Sequence, residues 1–282
     1  MQSDRSEKTS ANLDVLAFYR ELPFNYRQSV RDHAKAIRRF NAIVSYPFLV
    51  PLLHNGTSLL DVGCGAGWFG LNASYHYGCD VTGIDFNDVA IRRACEVAEA
   101  LGVSAQFHTA DLFRFHNSRC YELVASIGVL HHTNDCHAAL HRLCTKFVAP
   151  GGHVFVGLYH RHGRRPFLEH FQQMKAAGAT DAEMLARYKC LHSTLTDETH
   201  LLSWFRDQVQ HPHETQHTLE ELLPLLEDAG MTLVSTSING FARFDDLKQL
   251  FQTEEKLEHV AARQLAQNRY YPGFFVFLAR KK

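Results

Sequence analysis

Leu59-Leu-Asp-Val-Gly-Cys-Gly-Ala-Gly67 runs an apolar segment of strand length into three alternating glycines, and a helical pattern over 68–77 follows directly. Glycine tolerates positive φ and carries no Cβ, so a turn built this way lets a bound molecule approach the main chain. Strand, glycine turn and helix N-terminus in that order make a cradle for a ligand. Outward from it the same rhythm repeats. Short apolar runs at 58–62, 80–84, 104–109, 123–127 and 153–158 alternate with helical patterns at 68–77, 88–101 and 135–147. That alternation predicts βαβ units and a parallel sheet. Ala149-Pro-Gly-Gly152 reads as the turn that stops the third helix and launches the next strand.

Two acids lie where the following strands end. Asp85, 20 residues after Gly65, is placed to accept two hydrogen bonds from ribose hydroxyls, and Asp111 to accept from an adenine amino group. A dinucleotide fold would instead use Gly-x-Gly-x-x-Gly around a pyrophosphate. Here the glycines are 63, 65 and 67, Trp68 stands where the third would be, and Asp61 brings a negative charge that suits an amine better than a phosphate.

With these residues in place the sequence resembles the class I S-adenosylmethionine-dependent methyltransferases. The likeness is carried by Asp61-Val-Gly-Cys-Gly-Ala-Gly67, Thr82-Gly-Ile-Asp85, Ala110-Asp111 and Ser126-Ile-Gly-Val-Leu-His-His132. It implies an α/β fold, a doubly wound seven-stranded, mostly parallel sheet of order 3-2-1-4-5-7-6. It also implies S-adenosylmethionine as cofactor. By matching position, Asp61, Gly63, Cys64, Gly65 and Gly67 would hold the methionyl portion. Asp85 would take the ribose with Phe86 against the adenine, Asp111 and Leu112 the adenine edge, and Ile127 and Gly128 the sulfonium side.

Outside this core, residues 1–56 read as an N-terminal helical cap broken at Pro23 and Pro47. Its aromatic stretch Phe18-Tyr-Arg-Glu-Leu-Pro-Phe-Asn-Tyr26 suits either packing or a lid over a ligand, with Tyr26 a candidate acceptor contact. Residues 57–160 form the cofactor-binding half, 161–217 a helical insertion containing a long helical stretch at about 165–210, and 218–282 the rest of the sheet with a second insertion at 240–270. Thr218 and Glu221 have capping-box spacing ahead of a helix ending near Gly230. Strands are expected at 231–238 and 274–279. The two insertions and the N-terminal cap are expected to shape the acceptor pocket.

A methyl acceptor bearing a proton needs a base, and imidazole titrates near working pH. His131 and His132 follow the fourth strand and are candidates for that base or for pocket wall. After the fifth strand, Tyr159 and His160 are further candidates. Arg161 and Arg164 in the same loop could clamp a carboxylate or phosphate, or form a solvated basic loop. His211, His213 and His217 admit substrate contact, with His213 the candidate, or surface roles. No metal is expected, since no cysteine partner is near.

The chain has 282 residues, a formal net charge of −1, 19 histidines and seven cysteines without a C-x-x-C pair. A disulfide framework and a globally basic nucleic-acid binder are both disfavoured. The histidines make charge pH-dependent: half-protonation near pH 6.5 would take it to roughly +8. His33, His54, His76, His108, His116 and His259 sit in ordinary helix or strand contexts. Without an apolar run of spanning length or an apolar start, the expectation is a cytoplasmic enzyme, off the membrane. It would methylate a small-molecule acceptor at oxygen or nitrogen. The rivals are a nucleic-acid methyltransferase, other S-adenosylmethionine chemistry, or a non-catalytic binding subunit. Oligomeric state is not legible.

Overall fold

Leu59 and Leu60 point to opposite faces of one strand, and both are fully buried, as in a parallel strand covered on two sides. The computed structural model describes residues 12–192 and 197–282. The polar start at 1–10 and residues 193–196 of the long helical stretch lie outside them. β1 (Ser58–Val62) is central and pairs in parallel with β2 (Asp80–Asp85) and β4 (Tyr121–Ile127). β3 (Ala105–Thr109) flanks β2, and β5 (Val148–Tyr159) extends the parallel ladder from β4. β7 (Phe274–Lys281) runs antiparallel between β5 and β6 (Met231–Thr236), giving the order β3-β2-β1-β4-β5-β7-β6. The expected topology holds.

Helices cover both faces. α1 (Leu13–Glu21) and α2 (Val30–Arg39) precede the sheet, and α3 (Trp68–Tyr77) and α4 (Asp88–Leu101) follow β1 and β2. Ile37, Leu71, Ala94 and Val97 make one core cluster on this side. α5 (Cys136–Arg142) and α9 (Leu219–Asp228) cover the other face through Leu140, Leu222 and Leu226 against Leu60, Val124 and Val156. Between β5 and α9 the chain builds α6 (Arg161–Ala176), α7 (Asp181–Leu191) and α8 (Glu198–Val209). These three pack through Phe167, Tyr188 and Phe205. α10 (Leu247–Ala266) completes the set.

Two local expectations change. Ala149-Pro-Gly-Gly152 lies inside β5: pairing with β4 starts at Tyr121 with Val148, breaks, and resumes at Leu123 with His153. Gly151 takes φ +72° there, so the glycines make a bulge instead of ending a helix. Thr218 does accept from the Glu221 amide, but the Glu221 side chain turns to His217 and Arg161, leaving the reciprocal half of the capping box unmade.

Candidate active site

The carboxyl ends of β1, β2 and β4 open into a cavity of about 260 Å³, where a doubly wound sheet places its ligand. Gly63, Gly65 and Gly67 all take positive φ, at +71°, +52° and +82°. The turn is pinned from the next strand: Asp85 accepts from the Gly65 amide at 2.8 Å and from the Asn87 amide at 2.8 Å. A Cβ added at Gly65 or Gly128 would meet nothing within 4 Å, whereas at Gly63 it would run into Val129 at 2.4 Å. The loop is therefore backed by protein on one side and bare on the other, a cradle fitted to a close-lying ligand.

Asp61, Gly63, Cys64, Gly65, Asp85, Phe86, Asp111, Leu112, Ile127 and Gly128 all line this cavity. Gly67 does not; it lies where Leu71 and Phe107 would collide with a Cβ, so it serves helix–strand packing. Asp61 accepts from the Gly70 amide at 2.9 Å, and burial raises its pKa to about 7. Burial also raises Asp85, and pushes the Cys64 thiol far up, so it stays protonated. Asp111 accepts from the Phe113 amide at 2.9 Å.

The N-terminal segment, expected to shape the pocket, does line the cavity beside the end of β4. Val15, Tyr19, Pro23, Phe24 and Asn25 line the cavity mouth from the N-terminal segment, next to His132 and Thr133. Behind them stands Asp207 of α8, 4% exposed. Its Oδ1 accepts from the Tyr19 hydroxyl at 2.5 Å and its Oδ2 from Tyr159 at 3.1 Å. Burial raises the pKa of Asp207 and of both tyrosines. His132 donates through Nδ1 to the His213 carbonyl at 2.9 Å, leaving Nε2 with its lone pair 3.9 Å from Asp207 Oδ1. Burial lowers its pKa to about 4.

Other expected contacts land elsewhere. Tyr26 stacks on Arg93, at 4.3 Å, and lines no part of the cavity. Arg164 is fully buried, bonded to both Glu214 oxygens and the Gln208 carbonyl and packed on the Tyr159 ring; it cannot reach out to clamp a substrate. Arg161 pairs with Glu221. His160 caps α6 through Nδ1, while Nε2 meets Glu254 at 2.9 Å. Glu254 in turn accepts from the first amides of α9, so this pair ties α6, α9 and α10 together, away from the cavity. Among the described residues no cavity wall comes from beyond Thr133, so the expected shaping of the pocket by the two insertions is not met; the first insertion touches the lining through Asp207 on Tyr19, and Glu254 of the second bonds to His160 and α9 away from the cavity.

His131 is fully buried with both ring nitrogens unpartnered, packed on Tyr159. His213, expected as an acceptor contact, donates through Nε2 to the Thr133 carbonyl at 3.0 Å and does not line the cavity. His132, Asp207 and His211 do bring ligand-type atoms within 4.8 Å of one another. However, Asp207 already receives two tyrosine protons, and His211 Nδ1 takes the His213 amide. His132 Nε2 and His211 Nε2 are buried with no hydrogen-bond partner. His137, His217 and Glu221 also approach, but Arg161 already supplies a cation to Glu221.

Residues 53–274 match the family model described as a methyltransferase domain, and the chain belongs to that family. Its sheet order and glycine turn are those of the class I S-adenosylmethionine-dependent methyltransferase family. Over 155 residues it is 30% identical to the ubiquinone biosynthesis O-methyltransferase of Proteus mirabilis, covering 52% of this chain and 62% of that protein. Over 127 residues it is 32% identical to phosphoethanolamine N-methyltransferase 1 of Arabidopsis thaliana, covering 45% of this chain and 26% of that one. These matches span less than two thirds of either relative. The fold is shared with magnesium protoporphyrin IX methyltransferase from Synechocystis PCC 6803 with bound SAH (TM-score 0.54, 15% identity, 94% of this chain and 93% of that one). No helix among the described residues is long and apolar enough to cross a membrane.

Proposed function

We propose that the protein transfers a methyl group from S-adenosylmethionine to a hydroxyl or amine of a small-molecule acceptor seated between Tyr19 and His132. The observation that carries this is the fixed tautomer of His132 at the cavity wall: Nδ1 is committed to a carbonyl, and Nε2 is left able to take a proton. The cofactor supplies a methyl group on a positively charged sulfur, open to in-line displacement. Glycines 63 and 65, Asp61 and Asp85 hold and orient it, and the lid formed by Val15, Tyr19 and Phe24 limits water at the reacting end.

His132 then takes the acceptor's proton at Nε2. A base of pKa about 4 suffices for a hydroxyl acceptor, because an oxygen gaining a methyl group becomes an oxonium whose proton is strongly acidic; a methylated amine is an ammonium of pKa about 10 and sheds its proton to solvent after release. Asp207, 3.9 Å away, favours the imidazolium that forms. Tyr19 positions the acceptor and is itself held by Asp207. Both O- and N-methyltransferases occur among the relatives, which supports an acceptor of either kind.

An acceptor screen of phenols, alcohols and amines, read as S-adenosylhomocysteine release, tests the reading in parallel with His132→Ala. The expected result is turnover on at least one acceptor, lost on substitution while calorimetric cofactor affinity stays within about twofold. Unchanged turnover in His132→Ala would remove His132 as the base.

A further inference from the structure

His211 and His213 form a weak His-x-His signal in the sequence, and neither lines the cavity. The fold nevertheless sets both behind His132, which does. The His211 ring stacks on the His132 ring, with centroids 3.8 Å apart and planes 28° from parallel. Phe18 and Tyr19 of α1 pack on it as well, their ring centroids 5.2 and 5.3 Å away. The His213 main chain meets the two imidazoles at once. Its amide donates to His211 Nδ1 at 3.1 Å, and its carbonyl accepts from His132 Nδ1 at 2.9 Å.

These two bonds fix opposite tautomers. A carbonyl can only accept, so His132 carries its proton on Nδ1 and keeps the Nε2 lone pair. An amide N–H can only donate, so neutral His211 has its lone pair on Nδ1 and its proton on Nε2. Burial, with His132 next, holds the His211 pKa down to about 3, so this ring stays neutral at the pH of turnover. Pro212 fixes one backbone torsion of the turn between the two histidines. The segment is anchored further along the loop after β4, by His213 Nε2 on the Thr133 carbonyl and by the Thr215 amide on the His131 carbonyl. Those contacts place the segment. His211 adds the hold on the amide of the very residue whose carbonyl receives the His132 proton.

We propose that His211 is a positioning residue for His132: it stacks against that imidazole and, through the His213 main chain, keeps the His132 proton on Nδ1. The consequence for turnover rests on His132 being the base, because only this tautomer has a lone pair at Nε2.

The test reads the tautomer by long-range proton–nitrogen NMR of the full chain, labelled at histidine and held at pH 7.5. Loss of signal in His132→Gln assigns the His132 ring. His211→Ala removes both holds, His211→Phe keeps a ring to stack but no acceptor, and His211→Asn keeps an acceptor for the amide two residues on but no imidazole. The wild type is expected to show His132 almost wholly in the Nδ1–H form. His211→Ala and His211→Phe should turn it into a mixture, and His211→Asn should restore most of the wild-type form. Calorimetric affinity for S-adenosylhomocysteine should stay within about twofold throughout. Turnover on an acceptor found in the screen should fall about tenfold in His211→Ala, part of the worth of a general base, and recover in part in His211→Asn. An unchanged His132 tautomer in His211→Ala and His211→Phe would overturn the proposal. So would a shift in His211→Asn as large as in His211→Ala, which marks a packing role. If His211→Ala does not fold, His211→Phe against His211→Asn makes the same comparison. A shifted tautomer with turnover intact would uphold the positioning and remove His132 as the base.

Discussion

The Tyr19 hydroxyl and Asp207 Oδ1 lie 2.5 Å apart although 188 residues separate them in the chain. This bond joins the N-terminal helix, where Tyr19 lines the cavity, to the helical insertion behind it. It is reinforced by Arg206 on Glu21 at 2.6 Å and by Asn87 on the Tyr19 carbonyl at 2.8 Å. The N-terminal helix is thus tied both to the insertion and to the N-cap of α4.

Asp207→Asn tests whether that tie acts in turnover. The amide keeps the volume but cannot accept from two tyrosines and support an imidazolium. We expect kcat to fall by about 10²-fold, the range of a lost proton-handling group, with cofactor affinity changed little. Tyr19→Phe removes only the hydroxyl and should raise the acceptor KM more than it lowers kcat. If Asp207→Asn leaves kcat intact, Asp207 only holds α1 in place.

The pH profile separates the residues by sign. His132 must be neutral to act, and its pKa is lowered to about 4. At saturating cofactor, kcat should therefore stay flat from pH 8 to about 5, instead of falling through 6.5 as an ordinary histidine would dictate. A decline centred near 6.5 would mean that the base is another group, or that His132 is far better hydrated in solution.

Asp61 moves the other way. Its pKa, raised by burial to about 7, leaves the carboxyl partly protonated at neutral pH in the empty protein. An amine binds the ionised form, so cofactor affinity should rise with pH and level off above about 7. Below that it should fall by up to about tenfold per pH unit. Asp61→Asn should weaken binding and flatten the slope. Calorimetry at pH 6, 7 and 8 distinguishes the two forms, and a slope that survives Asp61→Asn excludes Asp61 as its source.

Much of this architecture is legible in the sequence, for a physical reason. The β1 strand, its glycine turn and the start of α3 follow from residue type within about ten positions, and the acids at 85 and 111 end strands whose apolar runs are unmistakable. The acceptor side is different. Tyr19, His33 and Asp207 lie on helices whose periodicity is the same whether a face meets core or cavity. Arg164 shows its charge in the sequence but not that Glu214, 50 residues on, consumes it. Pro150 and Gly151 signal a turn, yet the partner strand β4 decides that the distortion is a bulge.

The histidines, taken together, predict an acid limit to stability. Burial holds His33, His132, His192 and His200 down to about 4 and His211 to about 3, so in the folded protein they do not charge near pH 6.5. The unfolded chain does take up those protons below about 6.5. The contribution from these residues is therefore fully present at pH 7 and lost as the pH falls from about 6.5 to 4, by roughly 1 kcal/mol per pH unit for each. Asp61, with its raised pKa, offsets part of this over the same range. His192 isolates the effect, because it is 6% exposed, stacks on Tyr270 at 3.7 Å and lies outside the cavity. His192→Phe should make the loss of Tm between pH 7 and 5 shallower by about one proton's worth, as read by thermal unfolding at half-unit steps. An unchanged slope would mean that His192 charges in the folded state as readily as in the unfolded chain.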